Sequence, residues 1–84
     1  MPLTILVVDD EPDLLELIEY NIAQRGHTVL TASDGAEGLR LAKSRVPDLV
    51  ILDVMMPILT GIEVAKRMRS QTETARIPIL MLTA

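Results

Sequence analysis

Leu49-Val50-Ile51-Leu52-Asp53 decides the fold. Four aliphatic residues ending in a carboxylate read as a strand buried on both faces with a charged tip. Earlier in the chain, Ile5-Leu6-Val7-Val8 ends the same way, in Asp9-Asp10. Two such strands, placed side by side, bring three acids to one point. A further apolar run closes in Thr83, a hydroxyl, followed only by Ala84.

The segments between these runs read as helices. Leu3 to Val8 is the first strand, and Glu11-Pro12-Asp13 opens a helix, since Pro suits a first turn and acids suit its positive end. Leu14, Ile18 and Ile22 recur every fourth residue. Leu15 and Leu17 widen that stripe into an amphipathic helix of about four turns. Gly26 stands where a C-terminal cap belongs. His27 to Ala32 reads as a second strand, with His27 itself a solvated loop residue. Asp34 and Glu37 have capping-box spacing, predicting a helix to about Ser44 through Ala36, Leu39 and Ala42. Val46-Pro47 breaks it before the third strand, Leu49 to Asp53.

Val54 to Leu59 is a loop stiffened by Pro57, with Met55-Met56 packing within it rather than binding a soft metal. Thr60 and Glu63 open a third helix, with Ile62, Ala65 and Met68 on its apolar side. Gly61 is a helix-start glycine. Lys66, Arg67, Arg69 and Arg76 form a solvated basic face. Ser70 to Arg76 is a polar linker, and Ile77 to Thr83 is the fourth strand. The order β-α-β-α-β-α-β predicts an α/β fold. It is a three-layer parallel sheet with right-handed crossovers and helices on both faces. In such sheets, sites form beyond the carboxyl ends of the strands.

Composition narrows the function classes. The 84 residues make one domain. There is one Tyr, with no Phe and no Trp, which disfavours a base-stacking platform. A net charge of −4 argues against direct nucleic-acid binding. The absence of Cys excludes disulfides and thiolate metal sites, and fits a reducing compartment. The apolar runs are far shorter than the ~20 residues that span a bilayer. A soluble cytoplasmic protein with no membrane partner is expected.

The three acids specify a chemistry. Neighbouring parallel strands lie about 4.8 Å apart, so Asp9, Asp10 and Asp53 fall within reach of one ion if the first and third strands are adjacent. Without a cation they repel, and some pKa rises. An oxygen-only site of this kind prefers Mg2+ or Mn2+. It could serve phosphoryl transfer, with Thr83 and the N–H groups after Asp53 donating to phosphoryl oxygens.

Asp9-Asp10-Glu11, the segment ending in Asp53, Met56-Pro57 with Gly61 beyond, and Thr83-Ala84 occur in order and at family-like spacing. Together they resemble the receiver domain of bacterial two-component response regulators, over the whole chain. The wording of the first strand and helix looks most like winged-helix transcription factors of the phosphate-regulon type. The resemblance implies a flavodoxin-like fold with strand order 2-1-3-4. It makes Asp53 the phospho-acceptor, charged by a sensor histidine kinase to regulate an output, transcription most of all, through a DNA-binding domain outside these residues. Asp10, Asp53 and the Met55 carbonyl would ligate Mg2+, with Asp9 acting through a water. Thr83 would hydrogen-bond the phosphoryl group and switch, and the N–H groups of Met55 and Ala84 would touch it too. The module would accept a group rather than turn over as an enzyme.

The sequence also departs from the family. Receivers continue into a fifth strand ending in Lys and two further helices. Lys43 and Lys66, both in predicted helices, do not replace that Lys. Residues 1–84 are therefore expected to be a single, shortened receiver domain whose fourth strand is an open edge. Ile79 and Met81 should face one side and Leu80 and Leu82 the other. Homo-oligomers formed by edge pairing or exchange of elements are expected. The alternative function is a shortened fragment that has lost switching and acts as a self-associating module. A metal-dependent aspartyl phosphatase ranks last, because the position two residues after Asp53 holds Met55 and not an acid.

Overall fold

The structure, a computed structural model, describes residues 1–82. Its elements are β1 (Thr4–Val8), α1 (Pro12–Gln24), β2 (Thr28–Ala32), α2 (Gly35–Arg45), β3 (Leu49–Asp53), α3 (Gly61–Arg69) and β4 (Ile79–Leu82). All strand pairs are parallel, and the order is β2-β1-β3-β4. The expected α/β topology and the adjacency of β1 and β3 both hold. Val8 pairs with Leu52, so Asp9 and Asp53 leave the sheet side by side.

The aliphatic runs fill both faces, as a central parallel strand requires. Leu6, Val8, Val50 and Leu52 face α2 and α3, where Ala42, Val64 and Met68 meet them. Ile5, Val7 and Ile51 face α1, through Leu15, Ile18 and Ile22. Leu6 and Leu52 are fully buried, and each contributes roughly 1.5–3 kcal/mol by leaving water.

The helix faces differ in detail from expectation. In α1, Leu14 and Leu17 are exposed, so the buried stripe is Leu15, Ile18 and Ile22. In α2, Ala36 is exposed, while Gly35, Gly38 and Ala42 are buried. In α3, Ile62 is half-exposed, and Val64 takes the core position beside Met68. Helical period marks a stripe but not which of two adjacent stripes meets the sheet. The crossing angle decides that.

The amino ends of the strands are tied by side chains. The Thr4 N–H donates to Asp48 Oδ2 at 2.8 Å, and the Asp48 N–H donates to the Thr4 carbonyl at 2.8 Å. The Leu3 N–H donates to His27 Nδ1 at 3.0 Å, so His27 is a partly buried acceptor and not a solvated loop residue. Nearby, Val46 caps α2 with φ +42°. Gly26 follows α1 with φ +87°, which suits a residue without Cβ.

The connection from α3 to β4 is more ordered than a polar linker. Thr74 is buried and its hydroxyl donates to the Met68 carbonyl at 2.7 Å. Arg69 donates to the carbonyls of Ala75 and Ile77 at 2.9 and 2.8 Å. It thus staples the turn, although the cationic residues read as a solvated face. At β4, Ile79 and Met81 pack toward α3, Leu82 toward α1, and Leu80 is half-exposed. The sheet ends there among the described residues. No helix among them is long and apolar enough to cross a membrane.

Candidate functional site

Three carboxylates meet at the carboxyl ends of β1 and β3. Asp9, Asp10 and Asp53 each place a ligand atom so that all lie within 4.8 Å of one another. The convergence expected from the sequence is present. Asp9 is buried, Asp53 partly buried and Asp10 exposed. The site therefore has a walled floor and an open side through which a group can arrive.

Local backbone holds two of the three. The Glu11 N–H donates to Asp9 Oδ1 at 2.9 Å, and the Asp9 N–H donates to the Ala32 carbonyl at 3.1 Å. The Met55 N–H donates to Asp53 Oδ1 at 3.2 Å. That bond engages one Asp53 oxygen and leaves the other for chemistry. It also means that the Met55 N–H, expected to touch a phosphoryl group, binds Asp53 itself here. Thr83 and Ala84, assigned hydrogen bonds to the same group, lie outside the described residues.

The electrostatics follow from crowding. Burial raises the Asp53 pKa above its ordinary value, the Met55 N–H pulls it down, and the charges of Asp9 and Asp10 push it up again, leaving it raised. A carboxylate whose ionised form is disfavoured by its neighbours is one a cation would relieve. The donor set is all oxygen, which suits a hard divalent ion. The residues fit such a group.

Gly61 contributes in a way the sequence reading missed. A Cβ there would collide with the Asp53 carbonyl oxygen and come within 2.8 Å of the Asp53 carbonyl carbon. The Gly61 N–H donates to the Val54 carbonyl at 3.0 Å. The first turn of α3 therefore sits directly on the end of β3. Thr60 and Glu63 complete the expected capping box, with the Glu63 N–H donating to Thr60 Oγ1 at 3.3 Å and the Thr60 N–H donating to Glu63 Oε1 at 3.1 Å. At α2, Asp34 Oδ1 accepts from the Glu37 N–H at 2.8 Å. The only sequence signal for the Gly61 seat was a glycine beside a cap, which also reads as an ordinary helix start.

Residues 5–84 match the family model described as the response regulator receiver domain. The chain is 54% identical over 80 residues to the alkaline phosphatase synthesis transcriptional regulatory protein PhoP of Bacillus subtilis, covering 95% of this chain and 32% of that protein. It is 46% identical to the phosphate regulon transcriptional regulatory protein PhoB of Rhizobium meliloti, covering 95% and 35%. It thus spans about a third of the length of these relatives. Among solved structures, the N-terminal domain of a response regulator receiver protein from Methanoculleus marisnigri superposes with TM-score 0.95 at 40% identity, covering 98% of this chain and 67% of that one. The receiver domain of the sensor histidine kinase PA1611 from Pseudomonas aeruginosa superposes with TM-score 0.94 at 31% identity, covering 100% and 69%. That protein was crystallised with a magnesium ion coordinated in its active site cleft. A family match across nearly the whole chain, on a sheet whose order and acid tips it shares, means that the chain belongs to the response regulator receiver domain family.

Proposed function

We propose that the chain is a Mg2+-dependent phospho-acceptor of a two-component phosphorelay, with Asp53 as the residue that takes the phosphoryl group. The observation that carries this reading is the convergence of Asp9, Asp10 and Asp53 within 4.8 Å. Asp10, Asp53 and the Met55 carbonyl would hold Mg2+ (or Mn2+), with Asp9 acting through a water. The magnesium in the PA1611 receiver supports that assignment. The ion would supply neutralisation of the charge on the transferring group.

The chain's own residues do the rest. Through its Met55 bond, Asp53 presents its second oxygen toward the open side. That oxygen attacks phosphorus, the bond from phosphorus to the donor imidazole nitrogen breaks, and its electron pair stays on the imidazole. The product is an acyl phosphate on Asp53. Thr83 and the Ala84 N–H are assigned to hold its oxygens, with Thr83 as the switch. This is acceptance of a group, not enzymatic turnover. The donor is a sensor histidine kinase in the cytoplasm. The transcriptional regulators among the relatives favour a DNA-binding output domain, with no direct nucleic-acid or membrane contact by residues 1–84.

Incubation with Mg2+ and phosphoramidate, followed by intact mass, tests the reading. A gain of one phosphoryl group in the wild type and none in Asp53→Asn is expected. An equal gain in both, or none in either, overturns it. Calorimetry should show Mg2+ binding that weakens in Asp10→Asn.

A second reading rests on β4. Leu80 is 53% exposed, and a groove of about 430 Å3 runs between α3 and β4, lined by Ile62, Ala65, Ile79 and Met81 with Lys66 and Arg69 on its rim. An apolar sheet edge of this kind invites pairing with another chain. On this reading residues 1–84 self-associate through β4, or by exchange of elements, as a module that no longer switches. Light scattering at low micromolar concentration should then report a multiple of the chain mass; a folded monomer overturns it.

A further inference from the structure

The loop from β3 to α3 alternates its side chains between core and solvent. Met56 is buried and Leu59 half-buried, whereas Met55 is 66% and Ile58 103% exposed. Ile58 also has φ +69°. The Leu59 N–H reaches back over it to donate to the Pro57 carbonyl at 2.8 Å. A three-residue turn closed around a positive φ is the rare, strained form of the γ-turn. A β-branched side chain is among the poorest occupants of that conformation, and Gly or Asn would adopt it readily. Backbone and water thus both oppose Ile58, and no burial of its side chain offsets either cost. Strained residues that persist are fixed by their surroundings and gather at functional sites. Here Met56 anchors the loop in the core on one side, and the Gly61 seat on β3 fixes the other.

We propose that Ile58 is an apolar knob on which the protein that donates the phosphoryl group seats, so that its phosphohistidine arrives at Asp53. The inference rests on the phospho-acceptor reading above. Ile58 follows Asp53 by five positions, in the loop that runs from the acid cluster to α3. The acids repel one another and offer no apolar anchor. A rigidly held, fully presented aliphatic group does, and it loses little freedom when buried by a partner. A small phosphodonor needs no such contact, and a protein donor does. This difference separates the knob from the acceptor chemistry.

The test compares Ile58→Asn and Ile58→Val with the wild type in two arms. One arm uses phosphoramidate. The other uses an autophosphorylated sensor histidine kinase from the source genome, chosen as the fastest donor to the wild-type chain. Asn tolerates the left-handed turn and removes the apolar group; Val keeps both the branch and the apolar surface. The expected result is equal phosphoramidate rates for all three. From the kinase, kcat/KM should fall about tenfold or more in Ile58→Asn and stay near wild type in Ile58→Val. The melting temperature of Ile58→Asn should rise, because its turn is relaxed. Equal transfer from the kinase to Ile58→Asn and wild type overturns the knob and leaves the acceptor reading standing. A lower melting temperature in Ile58→Asn shows that Ile58 serves the fold and also overturns the knob. No phosphorylation of the wild type in either arm overturns the acceptor reading, and the knob with it.

Discussion

The two ends of this sheet use the same residue type for opposite purposes. At the amino end, Asp48 has a donor of its own, the Thr4 N–H at 2.8 Å, and His27 has another, the Leu3 N–H. At the carboxyl end, Asp9, Asp10 and Asp53 crowd within 4.8 Å, and the pKa of Asp53 is raised. One end spends its carboxylate on holding β1 in register. The other stores repulsion that only an arriving partner can relieve. In a parallel sheet this asymmetry is systematic, because every loop on the carboxyl side leads out of a strand and into a helix.

Glycine substitutions should show the contrast most strongly. Gly61→Ala places a methyl against the Asp53 carbonyl and the Val54 backbone, and should cost about 1–3 kcal/mol in denaturant unfolding. Gly26→Ala meets nothing within 4 Å, so its cost is conformational, about 1 kcal/mol. Equal losses for the two would mean that the α3 seat on β3 is looser than described.

Removing acids should have opposite signs at the two ends. Asp48→Ala leaves the Thr4 N–H without its partner and should destabilise by about 1 kcal/mol. Asp10→Asn relieves like-charge contact, and should stabilise the metal-free chain by roughly 0.2–1 kcal/mol. Added Mg2+ should reverse the order of wild type and Asp10→Asn, because the better binder gains more from mass action. Thermal melts with and without Mg2+ measure both.

Each end also carries one β-branched residue in the left-handed region, Val46 at φ +42° and Ile58 at φ +69°. Val46→Gly should raise stability by up to about 1 kcal/mol without changing the acid cluster. A loss of stability would show that the Val46 side chain matters more than its backbone.

The smallest effects are in pH dependence. Asp53 has a folded pKa above its ordinary value of 3.8, so the folded state holds that proton more tightly than the unfolded chain does. Its contribution is neutral below 3.8, and stability falls as pH rises through the raised value. The advantage of Asp53→Asn over wild type should therefore grow with pH across that window and then level off. Glu63 is shifted the other way, lowered from 4.5 chiefly by the Thr60 N–H. Its contribution is present above 4.5 and is lost as pH falls through the lowered value, so Glu63→Gln should matter least in acid. Parallel slopes for the two variants would contradict the environments described.

Most of the arrangement could be read from local pattern. The bounds of β3, the alternation of strands and helices and the meeting of three acids all follow from apolar runs with charged ends. The contacts that escaped reading are those that depend on distant chain. His27 binds Leu3 across 24 positions and Asp48 binds Thr4 across 44; no window of sequence contains either pair. Thr74 looked like linker, because a buried hydroxyl is disguised by polar neighbours until its partner, the Met68 carbonyl, is known. Leu17 and Ile62 looked like core for a complementary reason, since an aliphatic residue beside a true stripe is indistinguishable from a member of it.

The contact of Gly61 with the end of β3 is peptide against peptide, with no rotatable side-chain bond between the two. Nothing in that joint can flex to absorb a displacement. A relocation of the Asp53 carbonyl by a fraction of an ångström would pass whole into the first turn of α3. The nine-residue helix would then tilt as a rod and carry Met68 and the turn around Thr74 with it.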